Sequence, residues 1–374
     1  MLGRFVRIES SSDDPAGVAR MGRAAVAALT DGARGSLRRA QVSWVSGPED
    51  ADPPRGPHAL VRIPGAGPES GKRPVLLLGH LDTVWPSGTL GELPWRVEGR
   101  TARGPGVFDM KAGLVQTVWA LRALDRLGRA PRRPVRLIWN SDEEVGSGTS
   151  RGLIEGEARK AFAALVMEPS LPDGGVKTRR KGVGLMRVRV RGRAAHAGLE
   201  PERGINAITE LSGVLLEAAA LAAPEEGTTV SAGLVRGGSA TNVVPAEAEA
   251  WLDLRVMDPV RGERLLARLR ALRPRHPEAR IRWSGGMNRG PLTRSEGVIG
   301  LYRIAREIAA GLDWDLGEGS AGGASDGNLV AAVGTPVLDG LGPGGDGAHA
   351  RREHVQLDDL PRRAALLARL VETL

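Results

Sequence analysis

The stretch VLLLGHLDTV, residues 75–84, places four apolar residues in front of a glycine, an imidazole and a carboxylate. A short apolar run that ends in polar residues is typical of a strand buried on both faces of an α/β sheet. Ligand-binding groups gather at the carboxyl ends of such strands. His80 and Asp82 are therefore candidate site residues, because the carboxylate could fold back and orient the imidazole toward a metal. Taken alone, a His-x-Asp triplet is more often accidental.

Strand-like and helical patterns alternate on both sides of this stretch. Residues 112–127 have a helical pattern, and the apolar runs 135–139 and 163–167 have the pattern of buried strands. Such alternation indicates an α/β fold with a mostly parallel central sheet. We expect this sheet to lie in a catalytic domain formed by residues 1–178 and 289–374.

The pattern changes between residues 179 and 288. The predicted elements are strands at 185–190, 229–235, 246–256 and 280–283 and helices at 204–221 and 261–272. Their order, β-α-β-β-α-β, is typical of a ferredoxin-like α+β domain. We therefore predict an inserted lid or dimerisation domain over residues 179–288. The Pro- and Gly-rich stretch 52–74 is expected to be a loop or an irregular hairpin.

Composition limits the possible functions. The 374 residues exceed one ordinary domain, and the absence of cysteine means that any metal must be held by His and carboxylate groups. The net charge of +8 comes mostly from Arg residues spread along the chain, and only 12 residues are aromatic, which argues against a nucleic-acid partner. No apolar run approaches the roughly 20 residues that cross a bilayer, and no secretory signal is visible. We expect a soluble, cytoplasmic protein with no membrane partner that acts on a small anionic substrate.

Two further motifs place carboxylates where a metal could bind. Asp109 lies in GVFDMKAG, residues 106–113, just before a predicted helix, which it could merely cap. Asp142, Glu143 and Glu144 follow a predicted buried strand. Adjacent acids at such a position are electrostatically costly without a cation. A solvated loop is the simpler alternative.

Together these motifs resemble the family of co-catalytic two-zinc peptidases and deacylases. That family includes glutamate carboxypeptidase, aminoacylase, acetylornithine deacetylase and succinyl-diaminopimelate desuccinylase. The resemblance covers essentially the whole chain and is closest to glutamate carboxypeptidase. It implies a zinc-peptidase catalytic domain with two Zn²⁺ per chain, for which Co²⁺ or Mn²⁺ could substitute. The ligands that it implies are His80 and Glu168 for one ion, Glu144 and His349 for the other, and Asp109 as the bridge.

One of these ligands has a competitor in the sequence. His354 lies close to His349, but GPGGDGAH at residues 342–349, followed by Glu353, resembles the C-terminal motif of the family and favours His349. The remaining histidines, His58 and His276, are expected at the surface.

The resemblance also implies two catalytic roles outside the ligand set. Glu143 would act as general base toward the attacking water and then as general acid toward the leaving amine. His196, in GRAAHAG at residues 192–198, would stabilise the oxyanion in a neighbouring active site of a homodimer formed through the inserted domain. A core or surface histidine is the alternative for His196.

Three residues in or directly after the predicted insertion resemble substrate contacts of the family. Asn242 lies in SATNVVP, and Arg255 and Arg289 could grip carboxylates through their guanidinium groups. In a chain so rich in Arg, both could instead be surface cations.

The predicted function is that of a metal-dependent carboxypeptidase acting on a small acyl- or peptidyl-amino-acid substrate. It would hydrolyse the amide bond to a C-terminal amino acid, with glutamate favoured, through a zinc-bridged hydroxide and Glu143 as general base. The alternative within the same chemistry is an N-acyl-amino-acid deacylase of the acetylornithine deacetylase or desuccinylase type. A non-catalytic zinc-binding relic is a third possibility, against which the intact Glu143 and ligand set argue.

Overall fold

The computed structural model of this chain describes residues 1–48 and 50–374, which divide into two compact units. The larger unit consists of Met1–Arg179, Arg294–Ala321 and Ser325–Leu374, and the smaller unit of Arg180–Thr293 and Gly322–Ala324. The smaller unit thus starts at residue 180, where the sequence predicted 179. It ends at residue 293, where the sequence predicted 288, and the segment 322–324 was not predicted to join it.

A six-stranded sheet forms the centre of the larger unit. Its strands, in spatial order, are Gln41–Val45, His58–Ile63, Val135–Asn140, Val75–His80, Ala163–Val166 and Val337–Leu338. The last four are parallel to one another, and the first two pair antiparallel. All six residues of Val75–His80 are buried, as expected for a central parallel strand. The predicted α/β fold with a mostly parallel sheet is confirmed.

The prediction for the stretch 52–74 was wrong in one part. His58–Ile63 is an inner strand of this sheet, paired with Gln41–Val45 on one side and with Val135–Asn140 on the other. Its apolar residues are buried. The strand has only six residues and is flanked by Pro and Gly on both sides, so its pattern could not be distinguished from that of a loop. His58 itself is fully buried rather than at the surface, because it begins this inner strand.

Helices pack around the central sheet of the larger unit. They are Leu2–Val6, Pro15–Thr30, Gly35–Arg38, Thr89–Glu92, Ala112–Arg126, Arg151–Lys160, Glu296–Ala310, Asp326–Ala332 and Asp359–Thr373. Pro15–Thr30 shows why a helix begins where it does. Proline occupies its first position, and the Asp14 carboxylate accepts a hydrogen bond from the Gly17 N–H at 2.9 Å. The apolar faces of these helices and of the sheet form one core.

Two smaller sheets complete the larger unit. Gly345–Asp346, His354–Gln356, Thr101–Arg103 and Arg96–Glu98 form a four-stranded antiparallel sheet in that order. Val176–Arg180 pairs with Glu318–Ala321. In the four-stranded sheet the first two strands are joined by residues 347–353, so that this segment is the loop of a hairpin.

The smaller unit has the predicted order β-α-β-β-α-β. Its four-stranded antiparallel sheet has the spatial order Thr229–Gly237, Glu247–Val256, Gly182–Arg191 and Arg280–Arg289. The helices Ala207–Ala219 and Pro259–Ala271 share a separate apolar core with the sheet. A short ribbon pairs Ala195–His196 with Val243–Val244.

One edge of this sheet is unusually open. In Thr229–Gly237 every residue from 231 onward is exposed, including Leu234 at 45% and Val235 at 53% of their surface. His276, expected at the surface, is half-buried in the same unit.

Within the described residues, every helix is too short or too polar to span a bilayer. The cytoplasmic location stays a prediction.

Candidate metal centre

His80 ends the central strand Val75–His80 and is almost fully buried. Its Nδ1 lies 2.9 Å from the main-chain carbonyl oxygen of Asp82 and 3.4 Å from the Asp82 carboxylate. Because a carbonyl oxygen can only accept, Nδ1 carries a proton, and Nε2 is the nitrogen that could bind a metal once its own proton leaves.

The Asp82 carboxylate is fully buried and has a second set of contacts. It accepts hydrogen bonds from the Ser12 hydroxyl at 2.7 Å and from the main-chain N–H groups of Glu143 and Glu144, both at 3.2 Å. Asp82 therefore connects the His80 ring to the backbone of the acidic pair. The sequence predicted the first contact and not the second.

Asp109 lies in a tight loop before the helix Ala112–Arg126. Gly106 opens this loop with φ of +69°, and a Cβ there would come within 2.4 Å of the Thr83 side chain, so that glycine is required by both backbone and space. The peptide bond between Asp109 and Met110 is cis. The loop brings the Asp109 carboxylate between two imidazoles.

The distances around Asp109 describe two adjacent half-sites. Its Oδ1 lies 3.1 Å from His80 Nε2, which is also 3.6 Å from Glu168 Oε1. Its Oδ2 lies 3.4 Å from His349 Nε2, which is also 3.1 Å from Glu144 Oε2. A tetrahedral ion with bonds of about 2.0–2.2 Å holds its ligand atoms about 3.3–3.6 Å apart. The donor atoms thus stand close to the separations that two such ions need.

Glu143 belongs to the same group. Its carboxylate, His80 and Glu168 offer ligand atoms that all lie within 4.8 Å of one another, as do His80, Asp109 and Glu144. Together with the two imidazoles, the site holds four carboxylates in a small space. Carboxylates crowded in this way favour a bound cation.

The protonation of these groups reflects this crowding. Burial acts to lower the pKa of His80, but hydrogen bonds to its carboxylate neighbours, Asp109 first, raise it well above its usual value. Hydrogen bonds to Asp109 and Glu144 raise the pKa of His349 to about 10. Burial and the charge of Asp109 raise the pKa of Glu144 to about 7, against the effect of His349. Protons on the imidazoles thus provide part of the positive charge that the carboxylates require.

One buried atom fits a cation directly. Glu144 Oε1 is inaccessible to solvent and has no hydrogen-bond partner among the described residues. A buried carboxylate oxygen without a partner is costly, and a bound metal would satisfy it. With cysteine absent, the imidazole and carboxylate donors suit zinc, cobalt or manganese.

His349 lies in the hairpin loop 347–353 with φ of +62°. A non-glycine residue in this left-handed region is strained, and such strain is concentrated at functional sites. His354 instead lies in the following strand, where its Nδ1 donates to the Arg352 carbonyl at 3.1 Å.

The remaining predicted site residues lie in the smaller unit. His196 and Asn242 come together on the short ribbon, where the Ala197 N–H donates to the Asn242 carbonyl at 2.9 Å. His196 is exposed, and its Nδ1 accepts from the N–H groups of Gly198 and Leu199, so that Nε2 carries the proton.

The two predicted arginine contacts differ from each other. Arg255 is held by Asp253 of its own strand through two hydrogen bonds of 2.8 and 2.9 Å. Arg289 ends the strand Arg280–Arg289 and is 7% exposed.

Sequence reasoning did not assign Glu353 any contact. Its buried carboxylate accepts four N–H hydrogen bonds, three of them from the backbone of the Asp109 loop. The one sequence feature that pointed to a role for Glu353 was its position four residues after His349. No sequence feature pointed to Ser12, which donates a hydrogen bond to Asp82.

Comparisons with known proteins agree with this geometry. Residues 76–373 match the sequence model described as peptidase family M20/M25/M40. Carboxypeptidase G2 from Pseudomonas sp. (strain RS-16) is 31% identical over an alignment of 378 positions, gaps included. The alignment covers 99% of this chain and 87% of that protein. A succinyl-diaminopimelate desuccinylase from Thioalkalivibrio sulfidiphilus (strain HL-EbGR7) is 30% identical over 77% of this chain and 80% of that protein.

Among solved structures, aminopeptidase PepT from Bacillus cereus ATCC 10987 superposes with a TM-score of 0.82. The alignment covers 99% of this chain and 96% of that one, at 20% identity, so that this likeness concerns the fold alone.

Proposed function

Because this chain belongs to peptidase family M20/M25/M40 and is a metal-dependent hydrolase, we propose that it is a carboxypeptidase. It hydrolyses the amide bond to a C-terminal amino acid, with glutamate favoured. The observation that carries the proposal is the Asp109 carboxylate between two imidazoles, each with a further carboxylate of its own. The likeness to carboxypeptidase G2 along 99% of the chain favours the carboxypeptidase over the deacylase.

In this proposal the site would hold two cations, zinc by preference, with Co²⁺ or Mn²⁺ able to replace it. His80 and Glu168 would hold one, Glu144 and His349 would hold the other, and Asp109 would serve both. When bound, the cations polarise the scissile carbonyl and lower the pKa of water.

Glu143 moves the proton. Its carboxylate lies within 4.8 Å of ligand atoms of His80 and Glu168, and this closeness to the metal ligands supports a role as general base toward the attacking water. It takes a proton from that water and gives it to the leaving amine nitrogen, so that its own charge is restored after each turnover. Asp82 keeps Glu143 in place through the main-chain N–H bond at 3.2 Å.

His196 stabilises the developing oxyanion. Since its Nδ1 accepts from two backbone N–H groups, its Nε2–H is free to donate to an oxygen. We assign it to the active site of a partner subunit in a homodimer. The exposed edge strand Thr229–Gly237, with Leu234 and Val235 uncovered, supports pairing of two copies at this edge.

Asn242 and Arg289 bind the substrate carboxylate in this proposal. Arg255 is the candidate for an acidic substrate side chain, and to act there its guanidinium would have to exchange the Asp253 carboxylate for that of the substrate. This exchange is a cost that an apolar substrate would not incur.

The test is a substrate panel. We expect kcat/KM for an N-acyl-glutamate to exceed that for N-acyl-alanine and N-acyl-leucine, and Glu143→Gln to retain metal while losing about 10²–10⁴ in rate. A preference for the apolar residues would contradict the glutamate assignment. Turnover of N-succinyl-diaminopimelate or N-acetylornithine above all of these would favour the deacylase, for which the desuccinylase relative at 30% identity is the specific support. If the metal-loaded wild type hydrolysed none of these substrates, the non-catalytic zinc-binding relic would be the remaining hypothesis.

A further inference from the structure

We propose that Glu353 is the positioning residue that assembles the metal centre, by fixing three ligand-bearing segments on one carboxylate. This inference rests on the proposed function, because it concerns the same ligands. Glu353 is 3% exposed and lies in the hairpin loop that carries His349.

Both oxygens of the Glu353 carboxylate are fully used. Oε1 accepts from the N–H groups of Phe108 at 2.8 Å and Asp109 at 3.1 Å. Oε2 accepts from the Gly106 N–H at 2.9 Å and from the Trp85 indole N–H at 2.7 Å. A carboxylate offers about four lone-pair directions, so that these four donors saturate it.

The donors come from two loops that carry other ligands. Gly106, Phe108 and Asp109 form the loop that places the bridging carboxylate, and Trp85 lies three residues beyond Asp82, which orients His80. Because three backbone N–H groups of this loop donate to one buried carboxylate, Glu353 fixes the backbone from which the Asp109 side chain extends.

The third segment is that of Glu353 itself. Its N–H donates to the Ala350 carbonyl at 2.8 Å, and the Ala350 N–H donates to the Gly347 carbonyl at 2.8 Å. These turns tie Glu353 to His349, which has a strained backbone of its own. Glu353 therefore couples the positions of Asp109 and His349, of which the Oδ2 and Nε2 atoms lie 3.4 Å apart.

Glutamine at this position would keep the shape and lose the anion. A carboxamide has one acceptor oxygen and one NH₂ donor, so that two of the four N–H groups would face another donor. We expect the Asp109 loop to shift, and the affinity for metal to fall about 10–100-fold, the range typical of groups that orient metal ligands.

The experiment compares Co²⁺ binding by wild type, Glu353→Gln and Glu98→Gln. Glu98 is the matched control, since it lies on the four-stranded sheet that the loop of Glu353 belongs to, but is half-exposed and paired with Arg96 and Arg103. Titration of the metal-free proteins gives the Kd, the visible spectrum of bound Co²⁺ reports its coordination, and thermal unfolding without metal reports the fold.

We expect Glu353→Gln to raise the Kd for Co²⁺ by about 10–100-fold and to alter the spectrum, while Glu98→Gln matches the wild type. A purely structural role predicts a lower Tm with two Co²⁺ bound at the wild-type Kd and an unchanged spectrum, and that result overturns the inference. A wild type that fails to bind two Co²⁺ contradicts the proposed metal centre itself, whatever the variant does.

Should Glu353→Gln fail to fold, Trp85→Phe replaces it. This variant keeps an aromatic ring and removes only the indole donor to Oε2. A Kd raised by about threefold or more, in the direction of a disturbed ligand environment, supports the inference, and a wild-type Kd overturns it.

Discussion

Replacing Asp82 by Asn tests whether the carboxylate beside His80 also supports the acidic pair. Asparagine is nearly isosteric but turns one oxygen into an NH₂ group. Oδ1 now accepts from the Glu143 N–H, and Oδ2 accepts from the Glu144 N–H and the Ser12 hydroxyl. In either orientation of the asparagine amide, its NH₂ group would face one of these buried backbone N–H groups, that of Glu143 or that of Glu144.

The size of the effect follows from these contacts. An unsatisfied buried donor costs about 1–3 kcal/mol. Both backbone bonds are 3.2 Å long, at the far end of the N–H···O range, so we expect the free energy of unfolding to fall by about 1–2 kcal/mol. The Asp82 main-chain carbonyl still receives the His80 Nδ1 proton at 2.9 Å. We therefore expect the metal affinity to fall by about tenfold, the lower end for such changes.

Urea unfolding of the metal-free protein and competition with a chelator measure the two effects separately. Asp13→Asn is the control, because that carboxylate is 80% exposed and forms only a surface ion pair with Arg55, which is worth about 0–1 kcal/mol. If Asp82→Asn left both the unfolding free energy and the metal affinity at their wild-type values, the connection from His80 to Glu143 and Glu144 through Asp82 would be wrong.

Four more outcomes are expected. Since the pKa of His349 is raised to about 10 in the metal-free protein, a proton must leave its ring when metal binds. The affinity for metal should therefore rise with pH up to about 10. Calorimetric titration in buffers of different ionisation enthalpy would measure the released protons. The raised pKa of His349 also stabilises the metal-free fold, fully below the ordinary histidine pKa of 6.5, and this stabilisation is lost as the pH rises through about 10. A free energy of unfolding that stays constant between pH 6.5 and pH 10 would contradict it. Leu234→Glu, at the exposed edge strand, should convert the proposed dimer to a monomer in analytical ultracentrifugation, whereas the matched change Leu127→Glu, at a residue 71% exposed in the larger unit, should not. Mixed dimers of inactive His196→Ala and inactive Glu143→Gln chains should regain part of the activity, and verified mixed dimers without recovery would place His196 in its own active site or in none.

The sequence predicted the elements whose patterns are local. His80 and the acids 142–144 stand at strand ends, where buried apolar residues give way to polar ones, and the structure brings His80, Glu143 and Glu144 together. The alternation of buried Met186, Val188 and Val190 with outward arginines likewise follows from the two-residue period of a strand.

Features that depend on distant contacts could not be predicted in this way. The strand His58–Ile63 is recognisable only from its partners on both sides, because Pro and Gly residues surround it. The ion pair of Arg255 with Asp253 depends on both side chains leaving the same sheet face, and an isolated Arg in the sequence carries no sign of being engaged. The role of Glu353 required the Asp109 loop to be placed against the hairpin.

The hairpin loop that carries His349 also sets the order of events during synthesis. His349 follows His80 by 269 residues, so at about 5–20 residues per second the ribosome delivers it roughly 13–54 s later. Until then Glu144 and Asp109 lack the His349 imidazole, and the nascent chain has at most an incomplete half-site on that side. In the proposed metal centre, only a chain that is nearly finished could bind the second metal, so full metal loading would be a late step of maturation that a truncated translation product could not reach.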